Sequence, residues 1–210
     1  MKKLCVFGAS RGTGAHVVRL GLEKGFQITA VMRTPKPVHQ GAGVKIVQGD
    51  VYDIPSIVRS ISGADAVIST IGPTKRAPST NIYSKGVLNI AETMREIGPT
   101  RLIVVDGLGA DPDPDLPWQY SLAMRYIARR LFGFAYRDAA EMERRLAQLD
   151  LNWTAVRVPW LSDAPRRGYR SANGVRLHHG PKLGREDLAT YLLSIIDDQQ
   201  TFRTWTEVAW

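Results

Sequence analysis

The chain has a single cysteine, Cys5, and only four histidines in 210 residues. One thiol excludes an internal disulfide framework and fits a reducing compartment. Cys5 lies in an apolar run, which makes it a packing residue rather than a nucleophile. His16, His39, His178 and His179 do not combine with cysteine or acidic residues at ligand spacing, so the sequence presents no metal site. No apolar stretch approaches the roughly 20 residues of a membrane helix. Met1-Lys2-Lys3 has the charge of an export signal, but only Leu4 to Phe7 follow before Gly8. A strand and a turn are expected there, and a cytoplasmic protein with no membrane partner. Internal repeats and low-complexity segments are also lacking, which excludes solenoids and tails.

What is present is a globular composition with an excess of positive charge. Lys and Arg number 28 against 20 acidic residues, for a formal net charge of +8. The basic residues are scattered, with small groups at Arg129-Arg130, Arg144-Arg145 and Arg166-Arg167. That distribution describes solvated helix faces plus a pocket for an anionic small molecule, and no nucleic-acid partner is expected. A hydrophobic share of 44% supports a packed core, and 210 residues suggest one domain.

Apolar runs alternate with helical patterns, the signature of βαβ units around a parallel sheet. Strands are expected at Leu4–Phe7, Gln27–Met32, Val44–Val47, Ala66–Thr70, Leu102–Val105, Thr154–Val158 and Thr204–Val208. Helices are expected at Gly12–Lys24, closed by Gly25, then at Asp53–Ile61 with Asp53 as N-cap, and at Ile82–Ile97. Three prolines make Asp111–Pro117 a loop, followed by two helices, Trp118–Phe132 and Tyr136–Leu149. Ser162–Lys182 reads as loops with a short hairpin, and Arg185–Asp197 as a last helix. The fold class is α/β: a Rossmann-type, doubly wound, mostly parallel sheet with helices on both faces and a small C-terminal substrate lobe. Residues 111–135 and 160–183 are the expected substrate-side segments.

Gly8-Ala9-Ser10-Arg11-Gly12-Thr13-Gly14 follows the first strand and opens a helix. Residues without Cβ allow the tight turn and the close approach of a pyrophosphate, while the helix N-terminus supplies free N–H groups. Where an Asp or Glu would hold a ribose 2′-hydroxyl, at the end of the second strand, stands Met32-Arg33-Thr34. Arg33, with Arg11 inside the glycine turn, suits a 2′-phosphate instead, which points to NADP(H).

The spacing of the glycine turn resembles the short-chain dehydrogenase/reductase superfamily. Val47-Gln48-Gly49-Asp50-Val51, Ile68-Ser69-Thr70-Ile71-Gly72, Leu151 to Pro159 and Gly184 to Ala189 are similar to further segments of its atypical, NAD(P)H-binding branch, which includes flavin and biliverdin reductases and NmrA-like proteins. The resemblance implies Gly8, Ser10, Gly12, Thr13 and Gly14 at the pyrophosphate, and Arg11 with Arg33 at the 2′-phosphate. It puts Asp50 and Val51 at the adenine. Thr70, Ile71 and Gly72 would line the cofactor, and the Pro159 backbone would lie near the nicotinamide.

Many members of the superfamily use a Tyr–Lys pair four apart on a helix as the proton donor. Anchored on Leu151–Pro159, with Glu143 on the family's usual Glu, those positions hold Ala135 and Ala139. Tyr126 and Arg130 have the spacing but sit off register. Asp106, at the expected end of the fifth strand, is the one acid candidate, against a plain turn residue beside Gly107. Tyr83 and Tyr136 either border the pocket or pack beneath it. Trp118, Tyr120, Met124 and Tyr126 fit a lid, a helix on the sheet, or a dimer surface. Arg166, Arg167 and Arg170 fit either an anionic substrate or a solvated loop.

Three functions are compatible with this pattern. The first is an NADPH-dependent reductase of a small conjugated acceptor, flavin-like or quinone-like, because hydride transfer needs mainly position from the protein. The second is a non-catalytic NADP-binding sensor of NmrA type. The third is an epimerase- or dehydratase-like enzyme using Asp106 and Tyr126. Homo-oligomerisation is left open by the sequence.

Overall fold

The computed structural model describes residues 1–37, 43–73, 81–107, 118–178 and 182–210, with only the helical backbone at 118–125 and 127–132. His39, His179 and the Asp111–Pro117 loop lie outside the described residues, as do the side chains of Trp118, Tyr120, Met124 and Arg130.

Short apolar runs build the middle of one sheet. β1 (Lys3–Phe7), β2 (Gln27–Met32), β3 (Val44–Gln48), β4 (Ala66–Ser69), β5 (Arg101–Gly107) and β6 (Asn152–Val158) are joined by β8 (Arg170–Asn173) and β10 (Thr204–Ala209). The strand order is β3-β2-β1-β4-β5-β6-β10-β8. All neighbours pair in parallel except β8, which is antiparallel to β10. This is the Rossmann-type doubly wound sheet, with the order reversing between β1 and β4.

Alternation along each strand divides the core in two. Leu4 and Val6 of β1 face the cluster that holds Val17 and Val18 of α1 (Gly12–Glu23) and Leu188 and Leu192 of α5 (Arg185–Ser194). Cys5 and Phe7 face the opposite cluster, with Ile57 and Ile61 of α2 (Ile54–Ile61), Leu88 and Met94 of α3 (Leu88–Ile97), and Met142 and Leu146 of α4 (Trp118–Leu146). Cys5 is fully buried, and burial pushes its thiol pKa far up, so it is unreactive packing.

Helix α1 ends as its sequence indicates. Gly25 takes φ +82, its N–H donates to Leu22 O at 2.9 Å, and Phe26 N–H donates to Gly21 O at 3.0 Å. This is a Schellman closure. Asp53 occupies the N-cap position of α2, but its side chain makes no capping bond.

The structure differs from the sequence expectation at several places. The two helices expected after the proline loop are one 29-residue helix, α4, that runs through Gly133. A glycine inside a helix costs only about 1 kcal/mol, too little to break a continuous helical pattern. The helix expected from Ile82 begins as a π-helical turn, Ile82–Val87, in which Gly86 N–H reaches Asn81 O at 3.3 Å. The carboxylate of Asp138, from α4, accepts the N–H groups of Tyr83 (2.9 Å) and Ser84 (3.0 Å), which draws that turn out of regular register. The expected hairpin within Ser162–Lys182 is not formed among the described residues. β7 (Trp160–Ser162) pairs in parallel with β9 (Lys182–Gly184), and β8 finds β10.

Arg101 ties the two layers together from the start of β5. Its guanidinium donates to Ile195 O (2.7 Å), Ile196 O (3.0 Å), Asn152 O (2.9 Å) and the hydroxyls of Thr154 (2.7 Å) and Thr201 (3.1 Å). Its cation thereby caps the carbonyl end of α5, which stops at Ser194 rather than Asp197.

Candidate functional site

Parallel strands place the C-terminal ends of β1, β4, β5 and β6 along one edge of the sheet, where ligands of open α/β sheets bind. β1 leaves that edge through Gly8 and enters α1 at Gly12, at φ +82 and +57. Both lie in the left-handed region that favours glycine. Gly14 is required by crowding instead: a Cβ there would stand 2.2 Å from Gly8 O and 2.6 Å from Thr70 Oγ1. Thr70 fixes the other wall, since its N–H and its hydroxyl both donate to Phe7 O at 3.0 Å. The residue before α1, Arg11, is extended and provides no side-chain cap. The first N–H groups of the helix are therefore left for a ligand, and the tight cradle around them fits a pyrophosphate. The side chain of Arg185, from the start of α5, also packs here, 3.4 Å from where a Cβ of Gly12 would be.

Beside the cradle is a cleft of about 360 Å³, lined by Arg33, Gln48, Gly49, Asp50, Asp53, Ser56 and Arg59. Arg33 follows β2 directly. Asp50 follows β3 and is held by Ser56, whose hydroxyl lies 3.0 Å from both Asp50 N and Asp50 O. Asp50 Oδ1 accepts the Tyr52 N–H at 3.0 Å, and Asn89 Nδ2 donates to Val51 O at 2.9 Å, so the backbone after β3 is rigidly set. Arg11 is exposed and is not part of this lining. Arg59 is part of it, although no motif in the sequence marks it. The one available signal is position: Arg59 lies three residues after Ser56, on the same face of α2.

At the other end of the edge, Ile71 and Gly72 follow β4, and Pro159 follows β6 half-buried. The Tyr83 hydroxyl lies 3.2 Å from where a Cβ on Gly72 would sit, so Tyr83 closes the floor beneath that strand end. Tyr136 is half-buried, and its ring comes within 3.8 Å of where a Cβ on Gly107 would sit.

Asp106 is not a turn residue. β5 runs through Gly107, and Asp106 pairs in register with Arg157 of β6. It is 4% exposed, and its pKa is pushed up to about 8, first by burial and then by the neighbouring Glu143 carboxylate. Glu143 is gripped by Arg157 through two bonds, Nε to Oε1 at 2.9 Å and Nη2 to Oε2 at 2.6 Å. Arg157 in turn lies over the Trp205 ring at 4.1 Å. Alternation fixes this assembly, since Asp106 and Arg157 point to the α4 side of the sheet, where Glu143 arrives.

The positions of the family's Tyr–Lys pair hold Ala135, half-buried, and Ala139, buried in the core. Tyr126 is 68% exposed. Arg166 stands 3.9 Å from the fully buried carboxylate of Asp187, Arg167 stacks over Trp210 at 4.8 Å, and Arg170 donates to Trp210 O at 2.7 Å. These arginines knit the late segment to the end of the chain. Among the described residues, no group of His, Cys, Asp and Glu is arranged to hold a metal ion, and no helix is long and apolar enough to cross a membrane.

The profile of the NAD(P)H-binding family matches residues 8–199. An isoflavone reductase homolog of Zea mays is 28% identical over 121 residues, which cover 53% of this chain and 37% of that protein. Cinnamoyl-CoA reductase 1 of Petunia hybrida is 26% identical over 126 residues, covering 53% and 38%. The chain thus spans well under half the length of these curated relatives. A short-chain dehydrogenase/reductase from Veillonella parvula, solved in complex with NADP, superposes with a TM-score of 0.81 at 16% identity, over 100% of this chain and 94% of that one. That likeness is one of fold.

Proposed function

The chain belongs to the NAD(P)H-binding family, and from that premise we propose that it is an NADPH-dependent oxidoreductase acting on a small conjugated acceptor, flavin-like or quinone-like. The observation that carries the reading is the pairing of a glycine cradle with a cleft that presents Arg33 at the end of β2, where an NAD site presents a carboxylate, and Arg59 of α2, 4.0 Å from Asp53, in the same lining. Guanidinium groups favour the 2′-phosphate of NADP(H) through charge-assisted bonds.

Gly8, Ser10, Gly12, Thr13 and Gly14 hold the pyrophosphate in this reading. Asp50 and Val51 border the adenine, Arg33 and Arg59 meet the 2′-phosphate, with Arg11 reaching it from the exposed side of the glycine turn, and Thr70, Ile71, Gly72 and Pro159 flank the rest of the cofactor. Bound NADPH supplies a hydride at its nicotinamide C4. The chain's own part is to orient the acceptor, exclude water and provide a proton, for which Asp106 is the candidate. Residues 111–135 and 160–183 form the acceptor side.

Two measurements test this. Equilibrium titration should show NADPH bound at least about tenfold more tightly than NADH, and Arg33→Ala should erase most of that preference, a change of about 1.4 kcal/mol or more. Equal affinity for the two cofactors would overturn the choice of NADP(H). NADPH oxidation should then be seen with FMN, riboflavin or a quinone. The alanines at positions 135 and 139 favour a second reading, a non-catalytic NADP-binding sensor. Folded, NADPH-bound protein that turns over none of these acceptors would decide for the sensor.

A further inference from the structure

Asp106 and Glu143 are two carboxyl groups brought together from β5 and α4 at the edge where the nicotinamide half is assigned. Both stand against Arg157: Asp106 is its register partner across β5 and β6, and Glu143 is bonded to it. Two carboxyl groups sharing one guanidinium in a buried site do not both ionise readily, so one of them tends to keep its proton. Arg157 decides which. It takes both oxygens of Glu143, at 2.9 and 2.6 Å, and is itself fixed by stacking on Trp205. Arg157 is thereby taken up by Glu143, and the buried Asp106 carboxyl is the one of the two held well above its ordinary range.

We propose that Glu143 is a positioning residue that holds Asp106 in its protonated form, so that Asp106 is the proton donor of the reaction in place of the missing tyrosine. This rests on the reductase reading and deepens it. The hydride carries two electrons to the acceptor. The Asp106 O–H bond breaks, and its proton goes to the acceptor oxygen or nitrogen on which negative charge develops. Asp106 is left as a carboxylate beside Glu143 and is reprotonated from water. One NADPH and one proton are consumed per two-electron reduction.

The groups acting on the pair are few. Arg157 of β6 favours the ionised form of Asp106, as does the Gly107 N–H that bonds to it, whereas burial and Glu143 oppose it. Tyr83, from the π-helical turn, and Tyr136, from α4, both feel the Asp106 charge, and Asp138 acts on Tyr83. Glu207 of β10 acts on Arg157 from the far side.

Carboxyl-carbon NMR of the cofactor-free protein tests the assignment directly, with the Asp106 signal identified by its absence from Asp106→Asn. It should titrate near pH 8, and in Glu143→Gln its midpoint should fall by about one to two pH units. The basic limb of the pH–rate profile should move by the same amount. A wild-type spectrum with no carboxyl titrating above about pH 6 overturns the proposal, even if Glu143→Gln fails to fold. So does a folded Glu143→Gln with an unmoved midpoint, or an Asp106→Asn enzyme with unchanged turnover. Failure of the reductase reading looks different: the carboxyl titrates as stated, but no acceptor is reduced at any pH.

Discussion

Gly14 and Gly25 frame the same helix for opposite physical reasons. At Gly25 the backbone is left-handed, φ +82, and nothing lies within 4 Å of the position a Cβ would take. Gly25→Ala should therefore cost only the conformational term, about 1 kcal/mol. At Gly14 a Cβ would fall 2.2 Å from Gly8 O, so the helix must move off the strand. Gly14→Ala should cost about 3 kcal/mol or more by overpacking. Urea denaturation of the two variants checks the order, and equal losses would contradict it. The residues that stand out in such arguments were legible in the sequence when their reason was local. The glycine turn and Arg33 follow directly from a strand end. Arg59 and the Glu143–Asp106 contact were not legible, because each depends on a neighbour brought in by tertiary packing.

The π-helical turn and α4 depend on one another. Asp138, 6% exposed, accepts the N–H groups of Tyr83 and Ser84 and also the Ser84 hydroxyl. Asp138→Ala leaves two N–H groups without that partner and should destabilise the protein by about 2–4 kcal/mol, at the charged end of the hydrogen-bond range. Thermal unfolding measures the loss, and hydrogen exchange at Tyr83 and Ser84 should accelerate; unchanged exchange there would contradict the link. Elements of this kind show how far sequence patterns reach. The apolar runs of β1, β2, β4 and β5 are buried on both faces and announce themselves. β7, β8 and β9 are short, carry little apolar signal, and gain their pairing from β9, β10 and β7 in turn, which no local window contains. The continuity of α4 was hidden by Gly133, whose helix penalty is real but small.

For the molecule as a whole, the buried Asp106 carboxyl contributes a pH response of definite sign. In the unfolded chain Asp106 loses its proton near pH 4, whereas in the folded chain it keeps it up to about 8. Between those values the folded state binds more protons, so this group's contribution to stability falls as pH rises from about 4 to about 8 and levels off above that. Tm followed from about pH 5 to about pH 9 should decline in the wild type and decline less in Asp106→Asn, where an amide replaces the titrating group; parallel slopes would contradict the assignment. The glycine crossing has a consequence of another kind. The Gly8 carbonyl that leaves no room for a Cβ on Gly14 lies in the seam between α1 and β1, within the turn proposed to hold the phosphates, so on that reading recognition and architecture share one set of atoms. Enlarging that seam would disturb the fold along with any binding. What the rim offers is narrower: Arg33 and Arg59 stand clear of the core, so a preference for the extra phosphate can be removed there without disturbing what lies beneath.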